Sequence, residues 1–236
     1  LVKIEPAAEE WLRPYLGGVG FLRNEYRYCL WLKGCPPQVL RAMPEVMTRV
    51  RAVQKMRELS DKLATRQKAA TPTHFTEDRQ PSEGNYLAIP RTSSENRRYL
   101  PLGYLPATVI AANDLQLIPN ASLFEFGVLS SLMHRAWVDV TAGRLKSDIR
   151  YSVKLTYNTF PWPGFAGEPL SDKHRNAIEQ AAQCVLDARA QFADASLADL
   201  YDPLTMPPAL LKAHQKLDTA VDAAYQPSGG KKSYAS

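Results

Sequence analysis

Two apolar stripes near the C-terminal end set the tightest limit on what this chain can fold into. From Ser171 onward, Ile178, Ala182, Val185 and Leu186 recur at helical spacing up to about residue 192, and Ser171 stands where an N-cap belongs. After a short turn at 196–201, Pro207-Pro208 opens a second helix with Leu210, Leu211, Leu217 and Val221 on one stripe. Each stripe covers a single face, so the pair forms a helical hairpin that must bury that face against something else. The body that receives it has to come from the preceding residues.

Those residues alternate between strand and helix patterns. Residues 25–32 (EYRYCLWL) alternate and are rich in aromatics, which predicts a strand. Pro36-Pro37 then opens a long helical pattern running to Lys68, with Val39, Leu40, Met43, Val46, Val50, Val53 and Met56 at helical spacing. Between Arg41 and Lys68 it carries eight cations (Arg41, Arg49, Arg51, Lys55, Arg57, Lys62, Arg66, Lys68) against three acids. This predicts one long amphipathic helix with a basic outer face, either DNA-facing or merely solvated. Residues 70–84 are polar and loop-like. Short strands are expected at 86–91, 99–105, 109–112 and 115–118, the last two forming a hairpin across Asn113-Asp114. Residues 123–142 return to helical spacing, with Gly143 expected as the residue just past the helix end.

The expected architecture is therefore α+β, with small mixed sheets and long helices in residues 1–165. A helical hairpin subdomain follows over 166–225, after a Gly/Pro linker (Gly164, Gly167, Pro169), and then a tail over 226–236. At 236 residues either one large or two small domains can bury a proper core. The opening LVKIEP lacks an initiator methionine and begins mid-strand in character, as a part of a longer protein would. No apolar run approaches a membrane span and no basic-then-apolar leader is present, so a cytoplasmic protein with no membrane partner is expected. The three cysteines, Cys29, Cys35 and Cys184, have no paired metal-ligand spacing and read as buried free thiols in a reducing compartment.

The net charge of +5 hides an asymmetry. Residues 1–163 hold 22 lysines and arginines against 15 acids, whereas 164–225 hold 5 against 9. Such a basic surplus is compatible with nucleic acid and equally with a solvated basic face.

Catalytic signatures are missing. There is no G-x-G-x-x-G, no G-x-x-x-x-G-K-[ST] and no G-x-S-x-G. The cluster Gly17-Gly18-Val19-Gly20 precedes a strand pattern rather than a helix and reads as a turn. His74, His134, His174 and His214 are scattered without Cys partners, which disfavours zinc, and His134 and His214 read as core-edge residues of helices. No carboxylate cluster suits magnesium. Asn158-Thr159-Phe160-Pro161 resembles the Asn-Pro-Pro-aromatic signature of amino-methyltransferases only superficially, because Thr159-Phe160 shifts the register.

Nucleic-acid binding survives this screen. Within residues 143–152 the chain carries Arg144, Lys146, Ser147, Arg150, Tyr151 and Ser152, and residues 90–99 repeat that chemistry with Arg91, Thr92, Ser93, Ser94, Arg97 and Arg98. Guanidinium, ammonium and small hydroxyl groups are the donors that contact phosphates. The competing reading is that Arg144 and Arg150 pair with internal acids such as Asp148 and merely order a loop. The Phe160-Pro161-Trp162-Pro163 end suits packing at a domain boundary better than base stacking. A protein-interaction module docking a partner subunit through the acidic hairpin is the alternative function, and RNA binding by aromatic stacking ranks last.

The strings YRYCLWL (26–32), PRTSSENRRYLPLGYL (90–105), FGVLSSLMHRAWV (126–138), GRLKSDIRYS (143–152), YNTFPWP (157–163) and LADLYDPLTMPPALLKAHQKLD (197–218) resemble the C-terminal region of MmeI-like DNA methyltransferases. The resemblance implies a target recognition domain followed by a helical portion. Its double-stranded DNA partner would meet Arg91, Ser93, Ser94, Arg97 and Arg98, with Arg144, Lys146, Ser147, Arg150 and Tyr151. It also implies an S-adenosylmethionine-dependent, adenine-methylating domain elsewhere in the same parent chain, in some relatives joined to an endonuclease. The catalytic Asn-Pro-Pro-Tyr and the cofactor-binding glycine motif of that family have no counterpart here, so no catalysis and no cofactor are expected of this stretch itself. The oligomeric state is not legible.

Overall fold

A computed structural model describes residues 1–164 and 169–226; Gly167 of the expected linker and the tail beyond Gln226 lie outside the described residues. In chain order the elements are β1 (Leu12–Leu16), α1 (Gly18–Arg23), β2 (Arg27–Leu30), α2 (Pro37–Arg41), α3 (Pro44–Glu58) and α4 (Leu63–Gln67). Then follow β3 (Asn85–Pro90), β4 (Thr92–Ser93), β5 (Gly103–Pro106), β6 (Ile110–Ala111), β7 (Leu115–Pro119), α5 (Leu123–Leu129) and α6 (Leu132–Thr141). The chain ends with β8 (Gly143–Leu145), β9 (Asp148–Arg150), α7 (Asp172–Ala190), α8 (Leu197–Leu200) and α9 (Pro208–Ala224). The described residues form three small sheets, of order β2-β1-β6, β5-β3-β7 and β4-β9-β8, among helices, which is the α+β class. They divide into two compact units. One comprises Leu1–Tyr15, Tyr26–Gln80 and Thr108–Ile110; the other comprises Leu16–Glu25, Pro81–Ala107 and the residues from Ala111 on.

In the first unit the single helix expected over 37–68 is three. Pro44 carries no N–H for a ladder bond to α2 and instead takes the first position of α3. The buried Glu5 completes that start, its carboxylate accepting from the N–H groups of Glu45 (3.2 Å) and Val46 (2.9 Å). The second break, at 59–62, is fastened by Arg66, which donates to the carbonyls of Ser60 (2.8 Å) and Asp61 (3.1 Å). The basic outer face also loses a member. Arg57 points inward, 6% exposed, and donates to the carbonyls of Lys68 (2.9 Å), Thr71 (3.0 Å) and His74 (2.7 Å). One guanidinium thus ties loop 68–74 to α3, beside the loop's own Thr71-to-Lys68 and His74-to-Thr71 backbone bonds, while the other seven cations of this stretch are exposed. Ala8, Leu32, Met43, Val46 and Val50 form the local core.

The hairpin expected at Asn113-Asp114 does not form. β6 joins β1, β7 joins β3, and the residues between them carry the chain from one sheet to another. A two-residue spacing suits a hairpin, but each strand finds a longer-range partner.

In the second unit β3 is the most buried strand and runs antiparallel to both β5 and β7. Its core continues through α5, α7 and α9, where Phe126, Val128, Leu129, Ile178, Ala182, Val185, Leu210, Leu217 and Val221 are all buried. The two apolar stripes thus bury themselves here, with Leu186 and Leu211 packed at the margin. A Cβ on Gly127 would meet Ile178 Cγ2 at 2.8 Å, Ala182 Cβ at 3.1 Å and Leu217 Cδ1 at 3.3 Å, so α5 approaches α7 and α9 as closely as a glycine permits. Ser171 caps α7 as expected, accepting from the N–H of His174. The helix expected over 123–142 breaks at Ser130-Ser131: Ser131 caps α6, and the Asp218 carboxylate of α9 accepts from Leu132 N–H (2.8 Å) and Tyr99 hydroxyl (2.7 Å). Gly143 begins a strand instead of ending the helix in a left-handed turn. The cysteines are free, but they are less buried than expected: Cys184 is exposed and Cys29 and Cys35 are half-buried.

His134 and His214 lie fully inside, not at the core edge. Burial pushes the His134 imidazole down to about 3, and His214 falls well below its ordinary value through burial and the nearby Arg189. Each would bind a proton near pH 6.5 when unfolded but not when folded. Their contribution is therefore complete above about pH 6.5 and is lost as the pH falls below it, for His134 down to about 3. Stability measured by urea denaturation from pH 7 to 4 should decline, and His134→Gln, which keeps a partner for Tyr151 without a titrating ring, should shallow that decline.

Candidate nucleic-acid interface

The two cationic clusters, about 50 residues apart in sequence, meet in one sheet. β4 pairs with β9 (Thr92↔Arg150, Ser93↔Ile149) and β9 pairs with β8 (Gly143↔Arg150, Arg144↔Ile149, Leu145↔Asp148). The segment expected as a loop after α6 is thus a hairpin with Lys146-Ser147 at its tip. Lys146 sits at φ 56°, a left-handed conformation that costs a non-glycine residue about 1 kcal/mol. Arg91 ties the sheet in from its other side: its N–H donates to Asp114 carbonyl and its carbonyl accepts from Tyr151 N–H, both at 2.8 Å.

The ten residues singled out in sequence separate by burial. Arg98, Arg144, Lys146, Ser147 and Arg150 are exposed, and Arg91, Ser94 and Arg97 are half-buried. Ser93 and Tyr151 are buried, at 4% and 2% exposure. The Tyr151 hydroxyl pairs with His134 Nε2 at 3.0 Å and burial drives its pKa up, so its side chain braces the sheet from within. Ser93 Oγ accepts from Arg97 Nη1 at 3.4 Å. Burial lowers the Arg97 pKa, opposed by Asp202 and Asp148, and its guanidinium lines a cavity of about 490 Å³ together with Thr92, Ser94, Asp114 and Asp148. Arg98 lies 5.7 Å from the Tyr99 ring centroid. Arg144 does pair with an acid, but with Asp139 (3.4 Å) rather than Asp148. Lys146 and Arg150 pair with no acid among the described residues.

Two residues not singled out in sequence underlie this arrangement. Arg135, 8% exposed, donates to the carbonyls of Arg97 and Glu95 (3.0 Å) and to both carboxylate oxygens of Asp139 (3.1 and 3.2 Å). The i,i+4 spacing of Arg135 and Asp139 was the available signal.

The glycine cluster opens α1, not the strand that its sequence suggested. The Asp114 carboxylate accepts from Gly18 N–H at 2.9 Å and packs 3.0 Å from where a Gly17 Cβ would stand, so the helix start already holds an anion. That arrangement does not fit a cradle for a nucleotide-like cofactor. Phe160 meets His134 edge-on at 4.6 Å and Trp162 at 5.5 Å, packing as expected of that proline-locked end. Among the described residues no group of His, Cys, Asp and Glu is placed to hold a metal ion, and no helix is long and apolar enough to cross a membrane.

Comparison with known proteins decides the family. The model of the MmeI target recognition domain matches residues 1–164, and that of the MmeI C-terminal domain matches residues 170–234. The chain belongs to the MmeI family. It is 38% identical over 222 residues to DNA methyltransferase A of Bacillus subtilis (strain 168), covering 94% of this chain and 24% of that protein. It is also similar to the type IIL restriction-modification enzyme MmeI, whose structure was solved in complex with DNA, with a TM-score of 0.91 and 45% identity over 97% of this chain and 30% of that one. The chain thus spans about a quarter of one relative and under a third of the other, and in the MmeI family it corresponds to the recognition and C-terminal domains.

Proposed function

We propose that this chain is the DNA-holding, target-recognising part of a longer bacterial methyltransferase that modifies adenine N6 with S-adenosylmethionine. Its recognition portion would end near residue 165, and the helices from 166 to 225 would brace it. The observation that carries the reading is the pairing in one small sheet of the two cationic segments, which carry Arg91, Arg97, Arg98, Arg144, Lys146 and Arg150 on its strands and flanking loops, in a chain 45% identical to an enzyme solved with DNA. Exposed cations on a rigid ribbon fix register through phosphates, while neighbouring polar groups address base edges in the major groove. Adenine N6 is out of reach inside a duplex, so the catalytic part, which would hold the methyl donor, takes the base out of the stack while this part keeps its grip. Ser93 and Tyr151 support the surface from below; the exposed residues touch DNA.

Duplex binding by the full-length protein, followed by fluorescence anisotropy against salt, tests this. Arg144→Ala with Arg150→Ala should weaken binding to all sequences and reduce the salt slope by about two units, since each lost phosphate contact removes roughly one. Unchanged binding with a lower melting temperature would mean that these arginines only order the hairpin. The alternative, a docking module for a partner subunit, has less support, because the apolar stripes of α7 and α9 pack into their own core.

A further inference from the structure

Arg135 and Asp139 occupy one face of α6 between the two cationic segments. Loop 94–98 has little of its own to hold it: Asn96 N–H reaches Ser94 Oγ and Arg97 N–H reaches Ser94 carbonyl, each at 3.3 Å. The Arg135 fork supplies the rest by gripping the Glu95 and Arg97 carbonyls from beneath, with its side chain 10% exposed. Its remaining donors lie along the Asp139 carboxylate, and Asp139 in turn meets Arg144 at 3.4 Å through both a carboxylate oxygen and its carbonyl. Five donors in a rigid plane suit this double grip, which an ammonium cannot reproduce.

We infer that Arg135, acting with Asp139, is a positioning residue for DNA: it sets the loop bearing Arg97 and Arg98 and keeps Arg144 available to phosphate. The inference rests on the DNA-holding reading above. Charge explains the second part. Asp139 is shared by a buried and an exposed guanidinium, and the buried one neutralises it. Arg144 can then leave a long, 39%-exposed contact for a phosphate without stranding an acid. Without Arg135, Asp139 has Arg144 as its sole cation and draws it away from DNA. Presetting the loop also spares the ordering cost of binding.

The test uses the full-length protein, duplex anisotropy against salt, and thermal melts. Arg135→Gln should weaken binding several-fold and reduce the salt slope by about one unit, although the side chain is buried. Adding Arg144→Ala to it should reduce the slope no further, whereas Arg144→Ala alone should reduce it by the same amount. Arg135→Lys, which restores the charge but not the fork, should recover the slope and only part of the affinity. A melting-temperature drop with unchanged slope and affinity would overturn the inference while leaving the DNA reading intact; absent or salt-independent binding by the unaltered protein would remove both. If Arg135→Gln does not fold, Asp139→Asn decides: the expected result is weaker binding with an unchanged slope, and unaltered affinity would sink the idea.

Discussion

Replacing Arg57 with methionine is expected to destabilise the first unit by about 2–3 kcal/mol, because three hydrogen bonds from a buried guanidinium are lost together. The Lys68, Thr71 and His74 carbonyls belong to one irregular segment; the first two also accept from the Thr71 (3.2 Å) and His74 (3.1 Å) N–H groups, and the guanidinium adds the tie to α3. Methionine retains the packing of the aliphatic stem, so the loss isolates the hydrogen bonds. Urea denaturation should show a lower midpoint with an unchanged slope for the transition reported by Trp11 and Trp31, both in this unit. Amides of residues 68–75 should exchange fastest. A loss below about 1 kcal/mol would mean that water replaces the guanidinium without penalty.

Gly127→Val is expected to cost the second unit about 3 kcal/mol, the upper part of the range for overpacking a filled core. The first added carbon already stands 2.8 Å from Ile178 Cγ2 and 3.1 Å from Ala182 Cβ, and the latter is tied to backbone and cannot swing away. The branched side chain adds two more carbons to the same space. Glycine's poor helix propensity works the other way, but valine is itself a poor helix former, so the gain is only about 0.4 kcal/mol and too small to reverse the sign. Trp137 and Trp162 report on this unit, and an unaltered melting temperature would mean that α5 can slide away from α7 and α9 at no cost.

The C-terminal helices were legible because their determinants are local: a serine cap, a proline at the first turn and a stripe that repeats every three or four residues. The basic character of the two recognition segments was legible for a similar reason, since charge and hydroxyl content are visible residue by residue. Pairing was not. Nothing within residues 90–99 announces that Thr92 will face Arg150, or that the strand after Val109 will join β1 instead of its neighbour β7. Such contacts are chosen by what else needs burial. The same holds for inward-turning polar groups: Arg57, Arg135 and Tyr151 look like surface donors in a string of letters, and only the carbonyls and imidazole they meet, up to 40 residues away, make them scaffold.

The dependence of α5 on α7 and α9 has a consequence during synthesis. The first unit is complete once Ile110 has been made, and it can close while the rest is still being translated. The face of α5 at Gly127 must instead wait for Leu217, roughly 90 residues later, which at bacterial elongation speeds is about 5–20 s. For that interval the apolar face of α5 lacks its backing. The ribosome-bound chain is then a natural client for a holding chaperone, and a stop codon before α9 would release a protein with α5 translated but unpacked.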